Sequence, residues 1–190
     1  MYGLIHGALR NLVTETQGEE FWQSTLLSAN IKPDVFLCMR SYEDSITIAL
    51  FAATAENMNK DVDELLELFD HYWLTIFAPT DYGNLLDLAG SEPFEFLQNL
   101  NKLHERISAS FINFHPPVFD MSRINDDCCE FHYRSSRKGL TPFITGILRG
   151  LPTIFSANMK IEKKATVGWG DGEHSIYLIT MIRPMVKDYA

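Results

Sequence analysis

Two groups of residues in this chain have types and spacing suited to chemistry. The first centres on His104. Leu97, Leu100, His104, Ile107 and Phe111 recur at intervals of three, four, three and four, which puts them on one face of a helix. A histidine on that face points in among large apolar side chains. Spacing alone admits two readings. One is a core histidine, neutral and hydrogen-bonded to a carbonyl. The other is a neutral imidazole serving as axial ligand to an iron whose remaining ligands a cofactor supplies. Zinc would need a second ligand three or four residues further on, and Ile107 and Ser108 stand there.

The second group is Tyr133-Arg134-Ser135-Ser136-Arg137. On a strand, Tyr133, Ser135 and Arg137 project from the same face and span about 13 Å. Two hydroxyls and one guanidinium fork in a row suit a ligand with two carboxylates, because arginine pairs with carboxylate through parallel hydrogen bonds. The competing reading is an exposed polar strand face that happens to carry an arginine.

The elements that must position these groups are legible from the apolar period. Leu4, Ile5, Ala8, Leu9, Leu12 and Val13 mark an amphipathic helix over residues 2–16. Shorter helices are predicted over 21–29, ended before Pro33, and over 45–58. A near capping box at Asp61 to Glu64 opens a helix whose apolar stripe is Leu65, Phe69, Tyr72, Trp73 and Ile76, ending near Pro79. Ser91 is the expected N-cap of the His104 helix, with Pro93 in its first turn, and the helix runs to about Phe111 before Pro116-Pro117 stops it. The period then changes to two: Cys129, Phe131, Tyr133 and Ser135 alternate with Glu130, His132 and Arg134. In that alternation His132 points away from Tyr133 and Ser135. A helix over 142–151 and an antiparallel pair over 157–167 and 174–182, turned by the glycines of 168–172, complete an α+β chain.

Composition bounds the function. Hydrophobic residues make up 46% of the 190, enough to build a core around a buried group. A formal charge of −9 argues against nucleic acid, whose binding needs a concentrated basic face. No apolar run reaches membrane-spanning length and the start lacks a signal peptide, so neither membrane insertion nor export is expected. Three cysteines, two of them the neighbours Cys128 and Cys129, fit a reduced cytoplasmic protein. A phosphate loop and a nucleophile elbow are both missing, so the chain is not expected to be an enzyme.

The sequence resembles the H-NOX (heme–nitric oxide/oxygen binding) domains, of the bacterial stand-alone type and similar to the heme domain of soluble guanylate cyclase. Met1-Tyr2-Gly3-Leu4-Ile5, Asn99 to His104, Pro116-Pro117-Val118-Phe119, and Tyr133-x-Ser135-x-Arg137 with Gly139-Leu140 carry the resemblance, which covers essentially the whole chain. It implies an H-NOX-like fold as one domain over 1–190, with a helical distal part over about 1–60 and a proximal helix and sheet over about 61–190. It also implies one heme b (iron protoporphyrin IX). His104 is then the proximal iron ligand, and Tyr133, Ser135 and Arg137 hold the propionates. Pro117 presses on the porphyrin, and Ile5 and Phe77 pack against it.

The resemblance further bears on the gas. In oxygen-binding relatives a tyrosine on the helix after the strand stabilises bound oxygen, and the matching position here is Phe143, which cannot donate a hydrogen bond. Trp73, by resemblance near the distal pocket, carries an indole N–H but is read first as packing. Nitric oxide and carbon monoxide are therefore the expected ligands, with rupture of the histidine–iron bond as the signal. The chain ends soon after its last strand, so output is expected through a separate partner, such as a sensor histidine kinase or a diguanylate cyclase or phosphodiesterase. The alternatives are a peroxidase-like heme enzyme, which needs a distal base and acid, and an oxygen-binding heme protein. His6, His71, His115, His132 and His174 show no spacing that builds a metal site, His6 is read as structural, and no zinc is assigned.

Overall fold

A computed structural model describes residues 1–32, 36–109 and 115–183, with the backbone alone at Asp81, Tyr82 and Leu85. Two positions used above, Pro33 and Phe111, lie outside the described residues. The chain forms two compact units, one of Met1–Gly83 with Glu105–His115, the other of Asn84–His104 with Pro116–Ala190.

The first unit is helical. It holds α1 (Gly3–Gln17), α2 (Glu19–Ser28), α3 (Asp44–Asn57) and α4 (Val62–Tyr72). Gly18, at φ +91°, ends α1 and lets the chain double back into α2, a backbone state that favours glycine. Leu9 and Val13 of α1, Leu50 of α3, and Leu65 and Phe69 of α4 are fully buried, and Phe51 meets Phe69 edge to face at 5.1 Å. The capping box at α4 is complete. Asp61 accepts from the Glu64 N–H at 2.8 Å, and Glu64 reaches back to the Asp61 N–H at 3.3 Å.

Beyond Tyr72 the helix does not end near Pro79 as expected. A π-helical turn, Trp73–Phe77, leads into α5 (Ala78–Asp87), with the Ala78 N–H bonded to the Trp73 carbonyl. The wide turn resolves the proline problem. A proline inside a helix lacks an N–H and crowds the carbonyl four residues back, but in the first turn of a new α segment neither matters. The extra residue per turn also rotates the stripe. Ile76, predicted to be inward, is 49% exposed.

The second unit packs helices on a four-stranded antiparallel sheet of order β1-β2-β4-β3. The strands are β1 (Val118–Asn125), β2 (Cys128–Ser135), β3 (Met159–Trp169) and β4 (Gly172–Met181). β1 was not anticipated. It is an edge strand in which only Phe119 is buried, so it leaves almost no alternation to read. β2 alternates cleanly, with Cys129, Phe131, Tyr133 and Ser135 inward. α6 (Pro93–Ser108) carries His104, and α7 (Thr141–Ile154) buries Ile144, Leu148 and Leu151. α6 starts two residues after Ser91, whose N–H donates to the Glu95 carboxylate at 3.1 Å. The β3–β4 turn is Gly170-Asp171, with Gly170 at φ +57°.

Candidate functional site

In the second unit, α6 buries Leu97, Leu100 and Leu103 and holds His104 half-buried beside them. The His104 Nδ1 lies 2.8 Å from the Leu100 carbonyl, one turn back. A carbonyl only accepts, so Nδ1 carries the proton and Nε2 the lone pair. Burial pushes the imidazole pKa down, against the opposing pull of the Leu100 hydrogen bond. The result is a neutral ring whose Nε2 has the electronic form of a metal ligand.

Next to it is Phe119, whose ring centroid is 5.2 Å from that of His104. Asn101 fixes this neighbour. Its amide donates to the Phe119 carbonyl at 2.6 Å and accepts the Phe119 N–H at 3.0 Å, tying the start of β1 to α6 by both backbone groups of one residue. Pro117, half-buried, lies two residues ahead of this clasp. Asn101 was given no role of its own from the sequence. Its signal was a polar side chain one turn before His104.

Phe119 is the direct cross-strand partner of Tyr133, with ring centroids 5.9 Å apart. Helix, edge strand and central strand thus set His104, Phe119 and Tyr133 in a row. Tyr133 and Ser135 are both buried. Burial pushes the Tyr133 hydroxyl up to about 12, partly offset by its hydrogen bond with Ser135, so it stays a neutral donor. Arg137 departs from the expectation. β2 ends at Ser135, so strand alternation does not set its direction. Instead the Arg137 N–H donates to the Ser135 Oγ at 3.0 Å, and the loop bends there. Glu173, unremarked in the sequence, holds the next residues: its carboxylate accepts from the N–H groups of Gly139 (3.1 Å) and Leu140 (3.0 Å). Gly172 completes the frame, because a Cβ there would lie 1.8 Å from the Ser135 carbonyl oxygen.

Phe143 sits half-buried in the first turn of α7. Thr141 Oγ1 with Ser175 Oγ (2.7 Å) and Thr145 Oγ1 with the Tyr177 hydroxyl (2.8 Å) fasten that turn to β4.

The first unit carries Ile5, Trp73 and Phe77. Ile5 is half-buried on α1, and Trp73 stacks on Phe77 at 5.1 Å within the π-helical turn. His6 is fully buried. Its Nε2 meets Thr47 Oγ1 at 2.8 Å, its ring packs against Phe36 and Tyr42, and burial followed by the N-terminal charge pushes its pKa down to about 4. Asp70 is fully buried with no hydrogen-bond partner on either oxygen. Burial first, and then the charge of Glu67, push it up to about 10.

Among the described residues no group of three or more His, Cys, Asp and Glu could hold a metal ion, and no helix is long and apolar enough to cross a membrane. The sheet does bring two histidines together that sequence spacing kept apart, His132 and His174, on its other face.

A family model described as haem-NO-binding matches residues 2–163. Soluble guanylate cyclase gcy-37 of Caenorhabditis elegans is 27% identical over 165 residues, covering 85% of this chain and 23% of the relative. The soluble guanylate cyclase subunit beta-2 of Rattus norvegicus is 25% identical over 128 residues, covering 62% of this chain and 18% of the relative. The chain therefore spans less than a quarter of the length of these relatives. Among solved structures, an oxygen-binding H-NOX domain related to soluble guanylate cyclases superposes with a TM-score of 0.82 at 19% identity, covering 98% of each chain. A second, from work on H-NOX activation, reaches 0.85 at 19% identity, covering 98% of this chain and 100% of the other.

Proposed function

The chain belongs to the haem-NO-binding family, and from that premise we propose that it holds one heme b on His104 and senses nitric oxide. The carrying observation is the ring state of His104: neutral, with Nδ1–H held by the Leu100 carbonyl and the lone pair on Nε2. That is the donor an iron porphyrin needs on its axis. The remaining donors fit the same group. Tyr133 and Ser135 offer buried hydroxyls and Arg137 a guanidinium, the set that two propionates would take. Pro117 supplies apolar surface in the same unit, and Ile5, Phe77 and Trp73 are apolar groups of the first unit. When bound, the heme supplies a ferrous iron that takes up a diatomic gas.

The residues of this chain then act as follows. Leu100 fixes the tautomer and orientation of His104. Asn101 holds Phe119 against that ring. Glu173 and Ser135 hold the loop of Arg137. Phe143 contributes no hydrogen-bond donor, which favours nitric oxide and carbon monoxide over oxygen, since bound oxygen needs a donor to stabilise its charge. Trp73 stacks on Phe77. Output passes to a partner protein, with a sensor histidine kinase or a cyclic-di-GMP enzyme as the proposed class.

Absorption spectra of the reduced protein with and without nitric oxide test the reading. The expected result is a histidine-ligated ferrous heme that loses its histidine ligand on adding nitric oxide. His104→Gly should lose the axial bond and recover heme binding with added imidazole. An unchanged axial bond in His104→Gly, or a stable ferrous–oxygen complex of the unaltered protein in air, overturns the assignment.

A further inference from the structure

The face of the sheet opposite Tyr133 and Ser135 carries a second polar assembly. β2 presents Glu130, His132 and Arg134 there, and β4 presents His174. Arg134 is the direct cross-strand partner of His174, and Asp120 of β1 is the direct partner of His132. His132 and His174 are thus diagonal neighbours. Their rings approach until Nδ1 of His132 lies 2.9 Å from Nε2 of His174. On its other side His132 turns Nε2 to the Glu130 carboxylate, also at 2.9 Å.

This arrangement fixes the protons. A carboxylate only accepts, so Nε2 of His132 carries a hydrogen and donates to Glu130. In the neutral ring Nδ1 then holds the lone pair, and Nε2 of His174 donates to it. Glu130 therefore stands to His132 as an outer carboxylate stands to a metal-ligating histidine: it sets the tautomer and makes the opposite nitrogen more basic.

We propose that His132 and His174 form a two-histidine site for a divalent transition-metal ion of the nickel, copper or zinc class, with Glu130 as its orienting outer carboxylate. The distance carries this. Two nitrogens 2.9 Å apart come within reach of one ion once the rings, now aligned along the N–H···N axis with centroids 5.1 Å apart, turn to aim both lone pairs at it, about 2.05 Å away at an angle of about 90°. Binding needs no proton to leave the neutral pair. The hydrogen on Nε2 of His174 moves to its Nδ1, and both facing nitrogens then donate lone pairs to the ion. Of the charges near His174, the Arg134 guanidinium opposes a cation most strongly, and Asp120 and Glu130 favour one. Asp120 is engaged with Arg134 in an ion pair. No third such ligand joins the pair among the described residues, so water fills the ion's other positions. The site is separate from His104, and its test does not depend on the heme reading.

The full chain, purified without an affinity tag, is titrated with Ni(II) by calorimetry near neutral pH. One ion per chain is expected, with affinity falling at least about tenfold in His132→Ala and in His174→Ala, about tenfold in Glu130→Gln, and not at all in His115→Ala. His174→Gln keeps a polar side chain on the strand and should lose affinity to the same extent, with an unchanged far-ultraviolet circular dichroism spectrum. Unchanged affinity in either histidine variant, or no binding by the unaltered chain at millimolar Ni(II), overturns the proposal.

Discussion

Asp70 offers a prediction whose size follows from the structure. Its carboxyl is fully buried on α4, neither oxygen has a hydrogen-bond partner, and Glu67 adds a like charge nearby. The pKa rises from 3.8 to about 10, so the folded protein keeps this group protonated at neutral pH while the unfolded chain ionises it. The sign follows from proton counting. The folded state binds the extra proton, so this group leaves stability untouched below 3.8, subtracts from it between 3.8 and about 10, and adds no further loss above. From 3.8 to 7, at about 1.36 kcal/mol per pH unit, the loss comes to about 4 kcal/mol. Asp70→Asn keeps the shape and removes the ionisation. Its amide is also unpaired, at a cost of about 1–3 kcal/mol, but that cost does not vary with pH. The assay is urea denaturation of both proteins from pH 5 to 8. The gap between variant and parent should widen in the variant's favour by about 1.4 kcal/mol per pH unit. Parallel stability curves would refute the reasoning, because they would mean that the buried carboxyl is no harder to ionise in the fold than in the unfolded chain.

Asn101→Ala removes both hydrogen bonds to Phe119 and should cost about 2 kcal/mol, a fall in Tm of roughly 4–8 °C; an unchanged Tm would show that the clasp is dispensable. Gly172→Ala forces a Cβ to within 1.8 Å of the Ser135 carbonyl and should destabilise by more than about 3 kcal/mol. Gly170→Ala, where a Cβ meets nothing but φ is +57°, should cost only about 1–2 kcal/mol; denaturation that ranks them the other way would contradict the strand packing. Phe143→Tyr supplies the missing donor and should give the reduced protein an oxygen-complex absorption spectrum in air, and no spectral change would place Phe143 away from the gas.

Local rules carried much of this fold. The three-and-four spacing around His104, the capping box at Asp61 and the alternation from Cys129 to Ser135 are each settled by a few neighbouring residues. The ring state of His104 is nearly local as well, since its partner is the carbonyl one turn back. What the sequence did not show depends on residues far apart. β1 exists because Phe119 has Asn101 and Tyr133 to bond and pack against, and an edge strand with one buried side chain has no period of its own. The π-helical turn and the outward rotation of Ile76 follow from carrying a helix through Pro79. β2 stops at Ser135, short of Arg137, where the Ser135 hydroxyl and the Glu173 carboxylate take the backbone N–H groups of the loop.

The sequence by itself thus determined the α+β class, the helix face that holds His104 and the inward face of β2, because amphipathic period is a property of neighbours. Only the tertiary structure decided that Asn101 clasps Phe119, that Gly172 meets Ser135, and that His132 and His174, 42 residues apart, come within 2.9 Å. Strand register brings such pairs together, and register is set by the whole sheet rather than by either residue.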